Sequence, residues 1–321
     1  MRDWRFASPD KPHGLRSGVA HGPRRSGLLR WLAVCVGAVL VCSCRQQGVL
    51  DPQGPIASAQ LLLLINTTGI MLVVVVPVIV ATLAFAWWYR SSNARAKRSE
   101  ELAYEGRIDF VIWSIPALVV ILVGGVTWIS THDLDPRAPI ATNVKPLEVD
   151  VVSLDWKWLF IYPDQGIAAV NLLVIPTGTP VNFRLTSATV MNSFFVPQLG
   201  SQIYTMAGMT THLNLLADKP GEYPGMSANF SGDGFANMRF IAKAVPAADF
   251  DTWVAQVRGS GSALDLPGYV ALAKASQAVP PMTFRAVDPK LFERIVDQTA
   301  LDPEKARTNR ARVPPAPEAG G

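Results

Sequence analysis

Apolar residues are distributed unevenly along this 321-residue chain. A polar, basic stretch over residues 1–27 gives way to a short apolar run, Leu28–Val41, and then to a Gly- and Pro-bearing linker over residues 45–60. Two long apolar runs follow, Leu61–Tyr89 and Phe110–Ser130. Each is long enough to cross a bilayer core, which takes about 20 apolar residues. The first closes with Trp87-Trp88-Tyr89-Arg90, and the second carries Trp113 and Trp128 near its ends. Amphipathic rings at those positions mark membrane–water interfaces, so both runs predict spanning helices. Pro77, Pro116 and the Gly124-Gly125 pair lie inside them, as residues do in helices that pack against other helices.

From Leu147 the pattern changes to period two. Leu147–Leu154 is β-branched and extended, and Trp156–Tyr162 alternates before Pro163. Asn171–Ile175, Val181–Thr186, His212–Leu216 and Met238–Ala242 are further short apolar runs between Pro- or Gly-rich turns. Short strands at regular intervals predict a sandwich or barrel. Residues 246–300 return to helical spacing, with Phe250, Trp253, Val254 and Val257, then Leu291, Phe292, Ile295 and Val296. The Pro-, Arg- and Ala-rich segment at residues 301–321 predicts a disordered tail.

Charge sets the expected topology. The loop at 90–109 carries Arg90, Arg95, Lys97, Arg98 and Arg107, which makes it cytoplasmic by the positive-inside rule. Residues 44–60 and everything after the second span, 131–245 and beyond, are then periplasmic. A basic n-region with a short apolar run reads as a secretory signal over residues 1–43, and it demands the same orientation. Val41-Cys42-Ser43-Cys44 resembles a bacterial lipobox, so Cys44 is a candidate for acylation; the alternative is an ordinary signal cut nearby. The overall formal charge of +4 is too small to argue for nucleic acid.

Cysteine and histidine counts exclude some chemistry. All three cysteines, Cys35, Cys42 and Cys44, precede the first span, and only His132 and His212 follow them. A thiolate–imidazole copper site therefore cannot be built from the strand region. Ser153, Ser193 and Ser201 lack a nucleophile motif, and there is no phosphate loop or redox CxxC. No catalytic constellation is visible.

The strings DWKWLFIYPDQGIA (Asp155–Ala168), VMNSFFVPQLGSQIYTMAGM (Val190–Met209) and FSGDGFANMRF (Phe230–Phe240) resemble subunit II of the haem–copper respiratory oxidases, most closely the bo-type ubiquinol oxidases. RIDFVIWSIP (Arg107–Pro116) adds to the resemblance, which covers roughly residues 44–300. It implies a membrane plus all-β chain. A two-helix transmembrane hairpin (61–89 and 110–130) would precede a cupredoxin-like Greek-key β-barrel or sandwich and a short, helical, aromatic-containing C-terminal extension. In cytochrome c oxidases of this superfamily the domain holds a dinuclear copper A centre. Aligned residue by residue, its ligand positions fall here on Asn192, Phe230, Gly232, Gly234, Met238 and Ile241, and every ligand has changed. The resemblance thus implies a copperless domain with no cytochrome c docking, in a proton-pumping ubiquinol oxidase reducing oxygen to water. Haems and copper would lie in partner subunit I, small membrane subunits would accompany it, and ubiquinol would be the complex's substrate. Asp109 aligns with a carboxylate near the entrance of a proton-uptake path, or is a solvated loop residue. Trp156 and Trp158 are read as packing aromatics. The expected location is the bacterial inner membrane. Alternatives are a cytochrome c oxidase subunit II and a membrane-tethered periplasmic binding lipoprotein.

Overall fold

The computed structural model describes residues 48–97 and 106–302. The signal and lipobox with Cys44, part of the loop at 90–109, and the tail from residue 303 lie outside the described residues.

Helix α1 (Pro55–Trp88) starts earlier than the apolar run that predicts it. Pro55 occupies the first turn, where its fixed φ suits a helix and its missing N–H is no loss. Helix α2 (Gly106–Asp133) has Asp109 in its first turn, where a negative charge complements the helix dipole. At 34 and 28 residues, both are long and apolar enough to cross a membrane. Their apolar side chains face outward all round: Trp113 is 77% exposed and Val73 74%. A helix apolar on every face has lipid or another apolar surface as its solvent.

The region from Leu147 to Val245 folds into two packed sheets. Strands β1 (Leu147–Leu154), β2 (Lys157–Tyr162), β3 (Ile167–Val170), β5 (Val181–Ser187) and β8 (Thr211–Leu215) form one. Strands β4 (Leu172–Pro176), β6 (Asn192–Phe195), β7 (Ile203–Thr205), β9 (Gly221–Ser227) and β10 (Arg239–Val245) form the other, in the order β4-β10-β9-β6-β7. The chain changes sheets at Asn171, whose φ of 55° lies in the left-handed region that asparagine tolerates. Its amide oxygen accepts from Trp158 N at 2.9 Å, tying the crossover to β2.

Period two decides what β2 touches. Trp158, Phe160 and Tyr162 point between the sheets and join Phe183, Phe194 and Phe240 in one core. Phe194 and Phe240 stack at 5.1 Å, and Trp158 meets both edge-on. Leu159 and Ile161 point the other way, into a second core made with the C-terminal extension. That extension is only partly helical. Helices α3 (Ala247–Gly259), α4 (Leu266–Leu272) and α5 (Leu291–Val296) alternate with short strands β11 (Ala263–Leu264), β12 (Met282–Phe284) and β13 (Ala286–Val287). Pro280-Pro281 bars a helix at that point, and β12 pairs antiparallel with β3, becoming the edge of the six-stranded sheet.

Three polar clamps hold the extension down. Lys157 is 1% exposed, and its Nζ donates to Lys274 O at 2.8 Å and Ser276 Oγ at 2.7 Å. Asn171 Nδ2 donates to Val279 O at 2.8 Å. Arg184 makes a two-pronged pair with buried Asp150, at 2.7 and 2.8 Å, while its guanidinium lies 4.7 Å from the Phe292 ring centre. Burial raises the Asp150 carboxyl's pKa and Arg184 opposes that rise, while the Asp150 hydrogen bond pushes Arg184 up.

The barrel also grips both membrane helices at their adjoining ends. Gln53 N donates to Gln198 O and Asp218 N donates to Gln53 O, each at 2.8 Å. A side chain on Gly54 would collide with the Leu216 carbonyl, so the approach requires glycine. Beyond α2, Asn214 N donates to Pro136 O at 2.9 Å, and its Nδ2 donates to the Arg137 and Ala138 carbonyls at 3.0 Å.

Asp150 is buried while the Arg184 side chain is 38% exposed, so removing Arg184 strands a buried carboxylate. Arg184→Met is therefore expected to lower unfolding free energy by about 3–5 kcal/mol. The double variant Asp150→Leu/Arg184→Met should recover most of that loss, measured by denaturant unfolding of the purified full chain.

Candidate functional site

Four loops meet at one end of the barrel, and five of the six aligned copper A positions lie at that end, Ile241 being on strand β10. Thr189 Oγ1 on the β5–β6 loop donates to Asp155 Oδ1 of the β1–β2 turn at 2.6 Å. Asn229 Nδ2 on the β9–β10 loop donates to Met191 O at 3.2 Å, and Thr186 Oγ1 donates to Met209 O at 2.8 Å.

Asn192 opens β6 and is buried. Its side-chain oxygen accepts from Ser227 Oγ at 3.1 Å and its Nδ2 donates to Val190 O at 3.2 Å, so the amide is committed to backbone and hydroxyl partners. Met238 is buried too, its sulfur 3.9 Å from Ser231 Oγ. Phe230 lies outside on the loop, 75% exposed, edge-on to Phe235 at 5.6 Å. Ile241 falls on the outward-facing register of β10, opposite in parity to the buried Phe240. The structure therefore brings Asn192, Gly232, Gly234 and Met238 to the loop cluster, and turns Phe230 and Ile241 away from the interior.

Trp156 fills the centre of this cluster. It takes φ 65° in the β1–β2 turn, and its Nε1 donates to Ser231 O at 3.0 Å. The indole lies directly over Gly234, where any Cβ would collide with the ring. Gly234 has φ −90°, a value that any residue adopts. The backbone would accept a cysteine there; only the indole forbids it. Gly232, at φ 100°, is held as glycine by its own backbone. Donor chemistry points the same way. An amide, a thioether, two glycines, a phenyl and an alkyl offer no thiolate or imidazole for a dicopper cluster. The residues present do not fit copper A.

Trp158 packs in the inner core, fully buried. His212 is exposed on β8, and the His132 Nδ1 lies 2.8 Å from the Trp128 carbonyl. Among the described residues no group of three His, Cys, Asp or Glu is arranged to hold a metal ion. Asp109 is half-buried on the first turn of α2, beside a shallow depression with Phe110, Trp113 and Ser114. The clamp residues Lys157, Asp150, Asn171 and Arg184 were not singled out from sequence. The signal for Lys157 was available: a lone cation between two tryptophans, on the outward register of an apolar strand. Burial pulls its pKa down, opposed by Asp155.

Two family models match the chain: the cytochrome c oxidase subunit II periplasmic domain over residues 165–245, and the COX aromatic rich motif over residues 258–300. A Pseudomonas putida protein named cytochrome bo(3) ubiquinol oxidase subunit 2 is 49% identical over 276 residues, 86% of this chain and 86% of that protein. An Acetobacter aceti protein named ubiquinol oxidase subunit 2 is 47% identical over 261 residues, 81% of this chain and 84% of that protein. The solved periplasmic domain of subunit II of cytochrome oxidase from Bradyrhizobium japonicum is 22% identical. It covers 36% of this chain and 96% of that one, with a TM-score of 0.34.

Gly234→Ala adds a single methyl under the indole. It is expected to expel Trp156, break the Nε1–Ser231 hydrogen bond and destabilise the fold by about 1–3 kcal/mol, the usual cost of overpacking. Tryptophan emission compared with that of Trp156→Phe, together with a melting curve, checks this.

Proposed function

The chain belongs to the subunit 2 family of the bo-type ubiquinol oxidases, and we propose that within that complex it carries no electrons itself. The complex oxidises ubiquinol and reduces oxygen to water. The observation that carries the reading is the Trp156 indole packed over Gly234, where copper A would need a thiolate. Without a metal in the barrel, electrons enter from ubiquinol in the membrane, and haems and copper belong to partner subunit I. Cytochrome c docking has no role in this scheme.

In this reading α1 and α2 span the bacterial inner membrane within residues 61–89 and 110–130. The loop at 90–109 is cytoplasmic, and the barrel (131–245) and extension (246–300) are periplasmic. Cys44 is the acylation site after removal of residues 1–43, and Asp109 collects protons at the cytoplasmic surface. The helices dock on subunit I, alongside small membrane subunits. Support for docking comes from Gly124 and Gly125: a Cβ on either meets nothing within 4 Å. Mid-helix glycine costs about 1 kcal/mol relative to alanine, so smallness there serves a surface outside this chain. A groove of about 630 Å³ beside Gly124, between Met71, Val74, Pro116 and Val123, is wide enough for a partner's side chains. The exposed Val190, Met191, Met209 and Phe230 at the loop end give the barrel an apolar rim for the partner's outer face.

Deleting residues 61–130 is expected to abolish co-purification with a haem-bearing subunit, and Gly124→Leu to weaken it. Haem retained at wild-type level in the deletion would overturn the docking model. The intact complex should turn over with ubiquinol and not with reduced cytochrome c; oxygen consumption with each donor separates this reading from a cytochrome c oxidase.

A further inference from the structure

A second concave surface lies away from the loop end. The outward faces of β4 and β10 run parallel, with Ile241 opposite Leu172 and Lys243 opposite Val174. Helix α3 rises beside them, leaving a groove of about 510 Å³. Leu172, Val174 and Ile241 form its apolar floor and Trp253 its wall, while Asp249 and Glu222 lie on its rim. The Trp253 ring is fixed from behind by Tyr162 at 5.4 Å and Phe250 at 5.8 Å. Glu222 is paired with Lys243 at 3.3 Å, whereas no ion pair is recorded for Asp249 among the described residues.

We propose that this groove receives the chain's own C-terminal segment Arg307–Pro317, Val313-Pro314-Pro315 lying against Trp253 and the preceding arginines facing Asp249 and Glu222. The segment reads RTNRARVPPAP. Consecutive prolines favour the polyproline II conformation, which docks in aromatic-walled apolar grooves with little ordering entropy left to lose. Arg307, Arg310 and Arg312 give the segment three cations and no carboxylate. The rim supplies Asp249, which has no ion pair among the described residues, and Glu222, shared with Lys243.

Reach is sufficient. Helix α5 lies over β5 and α3 over β3, and these strands are three places apart in the sheet. Three strand spacings are roughly 14 Å. The eleven residues from Pro303 to Val313 extend about 34 Å as polyproline II. The edge strand β12, one place beyond β3 and also in contact with α3, is within that reach, so the chain can leave α5, round the sheet edge there and enter the groove.

A photo-crosslinking residue placed at Val313 in the full-length protein, within the assembled complex, tests the proposal. After irradiation and digestion, crosslinks should map to residues 241–256. Asp249→Lys should lower the crosslink yield about two- to fivefold, the range of an exposed charge pair, and Arg310→Glu in the same chain should restore it. Pro314→Gly/Pro315→Gly should lower the yield with every charge intact. Crosslinks to a partner subunit, to another part of this chain or to nothing would each overturn the proposal, as would yields indifferent to Asp249→Lys.

Discussion

Strand β2 is buried on both faces, and the arrangement of the external domain depends on that constraint. A strand on the surface of a two-layer sandwich ordinarily needs one apolar face. In β2, Trp158, Phe160 and Tyr162 face the inner layer while Leu159 and Ile161 face outward, so a second cover is obligatory. The extension supplies it: Leu291, Phe292 and Ile295 of α5 complete the outer core, and β12 lengthens the sheet. Lys157 shares the outward register and would be an isolated buried charge without the Lys274 carbonyl and the Ser276 hydroxyl. An unmet buried ammonium is costly enough that this polar contact fixes where the loop after α4 must lie.

The same domain fixes the membrane hairpin. β8 and the turn after it hold the approach to α1 through Asp218 and the exit from α2 through Asn214. All of these bonds end on main-chain carbonyls, with the Asn214 side chain adding two to its backbone contact. A barrel that served only as a tethered binding module could hang on a loose linker. The joint observed here instead ties the barrel to both helices at several points.

Much of this was legible in the amino-acid sequence because the signals are periodic and long. Two uniformly apolar runs give two helices, and the DWKWLFIY string gives a period-two strand. Counting Cys shows, ahead of any geometry, that the strand region holds no thiolate. Other features depend on pairings between distant residues, which periodicity does not report. Asp150 and Arg184 face each other only because β1 and β5 run parallel in that register. The extension reads as helical because Phe250, Trp253 and Val257 repeat at helical spacing, and the short strands around Pro280-Pro281 carry too few residues to show a period. Among the aligned ligand positions, Ile241 falls on the outward parity of β10, a fact about local backbone that alignment alone does not carry.

Packing decides what fills the loop end of the barrel. Losing a ligand set leaves either a cavity, which costs stability in proportion to its size, or a replacement that fills it. At the loop end the Trp156 indole occupies the space over Gly234, admitted because Gly234 has no side chain and held by its hydrogen bond to the Ser231 carbonyl. Stability then rests on the ring cluster of Trp158, Phe194 and Phe240, whose stacked and edge-on contacts need no metal. No cysteine follows Cys44, so the loop end offers no thiolate, and packing alone holds its shape.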